Sequence, residues 1–344
     1  MFHYLDIIYL KKDFAQKENI PIFASIEPAK PLSNAQIGGS FFIYMGTVAF
    51  TKTYLNPAQH IVLLKSRGLQ ITDENLATVY LTNVGYYRLS AYFYPLLEIP
   101  KENHIYKPTA TFDKVVSMYT FDSCLRALLF RKIEKIEVAI RSTLGNFVAE
   151  ETSDIFWVTD PANYQSIDRF NTLISIIDKE YNGSKEDFIE HFKATYNEPY
   201  PPAWMILEIL PFGNMAHIYM NLANLSLKKK IAQHFGLQPP VFTSWLLVLS
   251  GLRNLCCHHS RVWNKLLPIR PAEPRRVIHP WIDPAKTNSQ RIYFRCAMIA
   301  YMLCTIEPGN NFKAELKALL AEYPNIDLLA MGFPFDWEKE PIWR

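Results

Sequence analysis

Apolar positions along this chain recur at spacings of three and four, and that period predicts helices. Between residues 113 and 150, Val116, Tyr119, Leu125, Leu128, Leu129, Ile133, Ile136, Ile140, Leu144 and Phe147 follow it. The run holds no proline, and its only glycine, Gly145, lies near the end, so one long amphipathic helix is predicted. Shorter helices carry their own punctuation. Asn56-Pro57 joins an N-cap to a proline at the first helical position, Ile61 and Leu64 form a stripe, and Gly68 stops it. Thr72-Asp73-Glu74 opens a helix over 72–81, and a dense aromatic segment covers 86–97. Further helices are predicted over 163–181 and 184–194, split by Asn182-Gly183, and over 204–222 with a break at Pro211-Phe212-Gly213. Others follow over 226–235 (closed by Gly236), 240–258, 290–305 and 311–323. Five prolines between 268 and 284 forbid a regular element there. No alternating strand run of any length and no internal repeat is visible, so the fold class is all-α, a helical bundle with additional N-terminal helices.

Residues 1–50 depart from this pattern. Pro28, Pro31 and Gly38-Gly39 interrupt them and no periodic face persists, so they are expected to be an N-terminal extension, with the ordered protein beginning near Met45 or Thr51. A helical region over 51–110 and a helical core over 111–335 would follow. The first ten residues carry Asp6 inside an apolar stretch and their lysines come after it, the wrong order for a secretory signal. The longest apolar stretches, 41–50 and 245–252, fall short of the roughly 18 residues of a membrane span, so no membrane partner is expected. Lys and Arg total 36 against 33 Asp and Glu, a formal charge of +3, so any nucleic-acid surface must be local. Five cysteines, two of them adjacent (Cys256 and Cys257), read as free buried thiols in a reducing cytoplasm rather than a disulfide framework.

Chemistry concentrates in residues 251–264. Here an otherwise apolar helix ends in two His, two Arg, two Asn and two Cys. Metal binding by Cys256, Cys257, His258 and His259 is disfavoured, because four consecutive helical residues fan around the axis at about 100° per step. A Cys-His nucleophile pair has no further support, since neighbours in sequence need not be neighbours in space. The third reading is Arg253-Asn254-x3-His258. Five residues of regular helix rotate by about 500°, which leaves Arg253 and His258 about 140° apart. They converge only at a helix end, through long side chains, or where two copies of the helix meet.

The extended string Arg-Asn-x3-His-His-x-Arg-x-Trp-Asn resembles the signature helix of the Abi-like abortive-infection family, the AbiD/AbiF-type bacterial proteins of the HEPN superfamily of α-helical RNases and RNA binders. Asn83-Val84-Gly85-Tyr86-Tyr87-Arg88-Leu89-Ser90 resembles its N-terminal signature. Phe121-Asp122 with Leu125-Arg126, Glu134 to Arg141, Pro202-Ala203-Trp204 and Pro211-Phe212-Gly213 fit the same family. The resemblance covers roughly residues 51–330. It implies phage defence by metal-independent RNA cleavage without a cofactor, in which the RNA 2′-OH attacks the adjacent phosphate. Arg253, Asn254 and His258 would be catalytic. His258 would do acid/base work, Arg253 would hold phosphate charge and Asn254 would orient the imidazole. Arg261, Arg270, Arg275 and Arg276 would contact RNA. One motif per chain implies a homodimer, and the family implies a possible antitoxin or small RNA partner. A non-catalytic RNA-binding or protein-interaction member of the same fold is the alternative. Plainer roles compete at several positions. His258 also suits a structural histidine at a helix C-terminus, and His259 is the candidate to replace His258 in the acid/base role. Trp263 and Asn264 suit packing and capping, and Glu137 and Arg141 suit an i,i+4 ion pair. Lys228-Lys229-Lys230 reads as a solvated face, and Tyr86, Tyr87 and Tyr92 as core.

Overall fold

The structure, a computed structural model, describes residues 51–344. The expectations for residues 1–50, including an ordered start near Met45, lie outside the described residues. Twelve α-helices and no named strand occur among the described residues, so the chain is all-α. It divides into two compact units between Val116 and Ser117.

The first unit holds helices α1 (Pro57–Ser66), α2 (Glu74–Asn83) and α3 (Tyr86–Phe93), and the first two start at side-chain caps. Asn56 and Gln59 exchange side-chain and backbone hydrogen bonds in a full capping box, and Asp73 accepts from the Leu76 N–H at 2.9 Å. The aromatic segment ends its helix at Phe93, earlier than the pattern predicts. Tyr94–Leu96 tightens into a 3₁₀ turn around Pro95. Tyr92 is buried as expected, Tyr86 stacks on His60, and Tyr87 is 92% exposed, which overturns its assignment to the core.

The long helix α4 (Phe112–Thr152) runs for 41 residues. Leu125, Leu129, Ile133, Ile136, Ile140 and Leu144 form a fully buried stripe along it, the one its period predicts. In the second unit α4 is joined by α5 (Ile167–Gly183), α6 (Asp187–Thr195), α7 (Ala203–Ile209), α8 (Phe212–Asn221), α9 (Leu225–His234), α10 (Pro239–Cys257), α11 (Ile292–Ile306) and α12 (Phe312–Glu322). Pro211 separates α7 from α8 as predicted, and α8 and α9 both pack on α10. One helix among the described residues, α10, is long and apolar enough to cross a membrane by length and composition alone, although Thr243, Ser244, Ser250, Arg253 and Asn254 interrupt its apolar run. Half of its apolar window is buried in the bundle, with Phe242, Trp245, Leu246 and Leu249 inside.

The proline-rich stretch between α10 and α11 has no α-helix, only a 3₁₀ turn at Pro284–Lys286, but is tightly fastened. Trp245 Nε1 donates to the Ala272 carbonyl at 2.9 Å, and the Ala272 N–H donates to Ser244 Oγ at 2.8 Å. Buried Arg295 reaches the carbonyls of Ser289, Arg291 and Ile269, and burial lowers its pKa to about 10. All five cysteines are free. Cys256 and Cys296 are buried, but Cys124 is exposed, contrary to the buried-thiol expectation.

Gly236 ends α9 at φ 68°, where a Cβ would lie 2.3 Å from Ile278 Cγ1 and 2.9 Å from Tyr301 Oη. Tyr301 also donates to the Gly236 carbonyl at 2.8 Å and accepts from the Ile278 N–H at 3.2 Å. We expect Gly236→Ala to lower unfolding stability by more than about 1 kcal/mol, through the left-handed backbone and the crowding together. Urea unfolding of the variant checks this, and unchanged stability would contradict it.

Candidate functional site

The end of α10 sets the geometry of the motif. Its last turn carries Arg253, Asn254, Cys256 and Cys257, and His258 is the C-cap at φ −88°, ψ 15°. The His258 N–H donates to the Asn254 carbonyl at 3.0 Å, His259 N–H to Cys256 at 3.1 Å and Ser260 N–H to Leu255 at 2.9 Å. His259 takes the left-handed conformation that closes many helices, at φ 53°. This leaves His258 exposed at the helix terminus. The Asn254 amide is also exposed and makes no hydrogen bond to the His258 imidazole. The two residues are joined through the main chain, so the orienting role expected of Asn254 has no contact behind it.

Arg253, five residues before His258, faces α4. Its Nε lies 3.4 Å from Glu137 Oε2, a charge contact without hydrogen-bond geometry. Glu137 Oε1 accepts from Arg141, so the expected i,i+4 pair forms and one carboxylate serves two arginines. Arg141 is buried and also donates to the carbonyls of Leu207 and Leu210, at the end of α7. Those carbonyls lie where a helix runs out of internal partners. Helices α4, α7 and α10 therefore meet on one ionic chain. Arg253 remains 35% exposed in its side chain, and no hydrogen bond within the described residues engages its terminal nitrogens.

A second acid on α4 fastens the segment after the motif. Asp122 is fully buried, and its Oδ1 accepts the Val262 N–H at 3.1 Å and the Trp263 N–H at 2.7 Å. Its Oδ2 accepts from buried Arg126. Trp263 is packed inside, and Asn264, at φ 42°, accepts from Arg291 Nη1 at 3.2 Å. Lys265 follows, and the sequence reading did not single it out. Burial and the neighbouring Arg261 hold its ammonium below the ordinary lysine value. Burial pushes the Cys256 thiol up to about 12, so Cys256 is not a thiolate at neutral pH and does not suit the nucleophile of a Cys-His pair. No group of three or more His, Cys, Asp and Glu among the described residues is placed to hold a metal ion.

Among the expected RNA contacts, Arg261 is half-buried, while Arg270, Arg275 and Arg276 are exposed on the proline-rich stretch. The triple lysine is not one solvated face. Lys228 donates to the Met220 carbonyl at 2.8 Å and lies over the Tyr219 ring, and Lys230 pairs with Glu150 at 2.9 Å.

The model of the Abi-like protein family matches residues 79–264, more than half of the chain. The chain belongs to that family. Neither the comparison with curated proteins nor that with solved structures finds a match. The Abi-like region contains both α4 acids and the whole motif. Lys265, Arg270, Arg275 and Arg276 lie beyond it. Membership supports a role in abortive infection, a form of phage defence.

Removing Glu137 would leave two arginines facing each other, Arg141 among them buried. We expect Glu137→Ala to destabilise the protein by roughly 3 kcal/mol, the scale for stripping one partner from a buried pair. Chemical denaturation against wild type measures it, and a change below about 0.5 kcal/mol would contradict the arrangement.

Proposed function

We propose that this Abi-like protein is a metal-independent endoribonuclease whose cleaving site pairs Arg253 of one copy with His258 of a second copy in a homodimer. One observation carries the reading. Glu137 holds a partly exposed arginine with uncommitted terminal nitrogens, five residues before an exposed histidine at the same helix end. The two side chains leave α10 in different directions, which favours completion of the site by a second copy.

Imidazole accepts and donates protons near neutral pH, and guanidinium grips phosphate oxygens while staying charged. His258 takes the proton of the RNA 2′-OH. The 2′-oxygen bonds to phosphorus, and the bond to the 5′-oxygen breaks. The leaving oxygen takes a proton, from an imidazole of the site or from water. The products are a 2′,3′-cyclic phosphate and a 5′-hydroxyl. Arg253 neutralises the charge that builds on the phosphate. Asn254, exposed beside them, and Arg261, Arg270, Arg275 and Arg276 contact the RNA. The substrate sets the reaction in the cytoplasm. A nuclease acting on its own cell calls for restraint, by a protein antitoxin or a small RNA. The missing hydrogen bond between Asn254 and the His258 imidazole favours a second reading, an RNA binder that does not cut.

Cleavage of end-labelled RNA in excess EDTA separates the readings. We expect activity to survive chelation and to leave 2′,3′-cyclic phosphate ends. His258→Ala should cut the rate by about 10²- to 10⁴-fold with little change in RNA affinity. Arg253→Ala should weaken binding as well, lowering the slope of log affinity against log salt by about 0.7. Activity lost on chelation and restored by Mg²⁺ or Zn²⁺ would overturn the mechanism. Binding without any cleavage would select the second reading.

A further inference from the structure

Lys265 is a cation beside the motif that the reaction above leaves unused. It follows the segment that Asp122 fastens to α4, where buried Val262 and Trp263 give their N–H groups to Oδ1. Arg126 takes Oδ2, so this carboxylate is already matched. Lys265 is half-buried and makes no hydrogen bond or ion pair with any described residue. Arg261, four residues earlier, adds a second positive charge to its surroundings. Lys265 lies two residues after Trp263, whose N–H Asp122 holds, and seven residues after His258, the C-cap of α10.

The side chain is half-buried while its ammonium nitrogen stays open to solvent and has no acid of its own, so an incoming anion can reach it. We propose that Lys265, beside Arg261, is a phosphate-binding subsite that takes an RNA phosphate flanking the one cleaved. The inference rests on the RNA reading above. A lysine ammonium is a compact point charge with three donors, suited to a single phosphate group. The subsite would fix how the strand enters the site, and so which phosphate meets Arg253.

Burial first, and Arg261 second, make this ammonium lose its proton at lower pH than an ordinary lysine, while Asp122 pulls the other way. A bound phosphate favours the protonated form. RNA affinity should therefore fall as pH rises, starting below the range in which an ordinary lysine titrates. Arginine at this position would stay charged throughout.

The test is fluorescence anisotropy with a fluorescein-labelled, 2′-O-methyl single-stranded RNA of mixed sequence, which the proposed reaction cannot cut. We expect Lys265→Gln to weaken binding about tenfold at 0.1 M salt and to lower the salt slope by about 0.7. Lys265→Arg should bind like wild type at neutral pH but without the alkaline fall, which a loss of folding would not reproduce. Wild type that binds while Lys265→Gln keeps its affinity and slope would overturn the subsite alone. Wild type that binds no RNA would overturn the RNA reading, and the subsite with it.

Discussion

The Glu137 carboxylate is what allows an arginine to face α4 from the end of an apolar helix. It lies between Arg253 and Arg141, and Arg141 in turn satisfies two carbonyls where α7 stops. Buried charges are costly when any member lacks a partner, so such a chain either forms throughout or not at all. The register of α4, α7 and α10 is thereby tied to the position of one guanidinium. Asp122 repeats the device about four turns earlier on α4. There an acid paired with its own i+4 arginine, Arg126, holds the two amides that follow the motif. The long helix works as a spine, with one ion pair bracing the arginine of the motif and another bracing the exit from the histidine.

That bracing bears on chemistry because a phosphate must meet a positive charge that does not have to be reorganised first. Arg253 is held on its Nε side and open at its tip, while His258 sits where α10 ends and solvent begins. The left-handed His259 and the main-chain closure to Leu255 and Cys256 place that end. The imidazole itself is held by its position on the backbone rather than by a side-chain partner.

Much of this fold was legible in the sequence because the signals are local. The stripe from Leu125 to Leu144, the capping pair Asn56 and Gln59, and the break at Pro211 each follow from residues within a few turns of one another. The motif was legible as a string of residue types. Its supports were not. Glu137 showed its i+4 partner Arg141, but its contact with Arg253 crosses from α4 to α10. Asp122 uses main-chain amides, which any residue supplies, so nothing at Val262 or Trp263 announces the bond. Tyr87, Cys124 and Lys228 were misplaced for a related reason. Residue type reports average burial, while the surroundings a residue meets on its helix are decided by partners distant in sequence. Arg295 inverts the average outright, buried on carbonyl oxygens.

A cleaving site that takes its arginine and its histidine from different copies of the chain can be tested directly. Arg253→Ala and His258→Ala subunits, each inactive alone, can be mixed, allowed to exchange and assayed for RNA cleavage against wild type. A mixed dimer in which one copy supplies Arg253 and the other supplies His258 retains one intact site, so the account predicts partial recovery of activity. A mixture that assembles and binds RNA yet cleaves no more than either variant alone would contradict it.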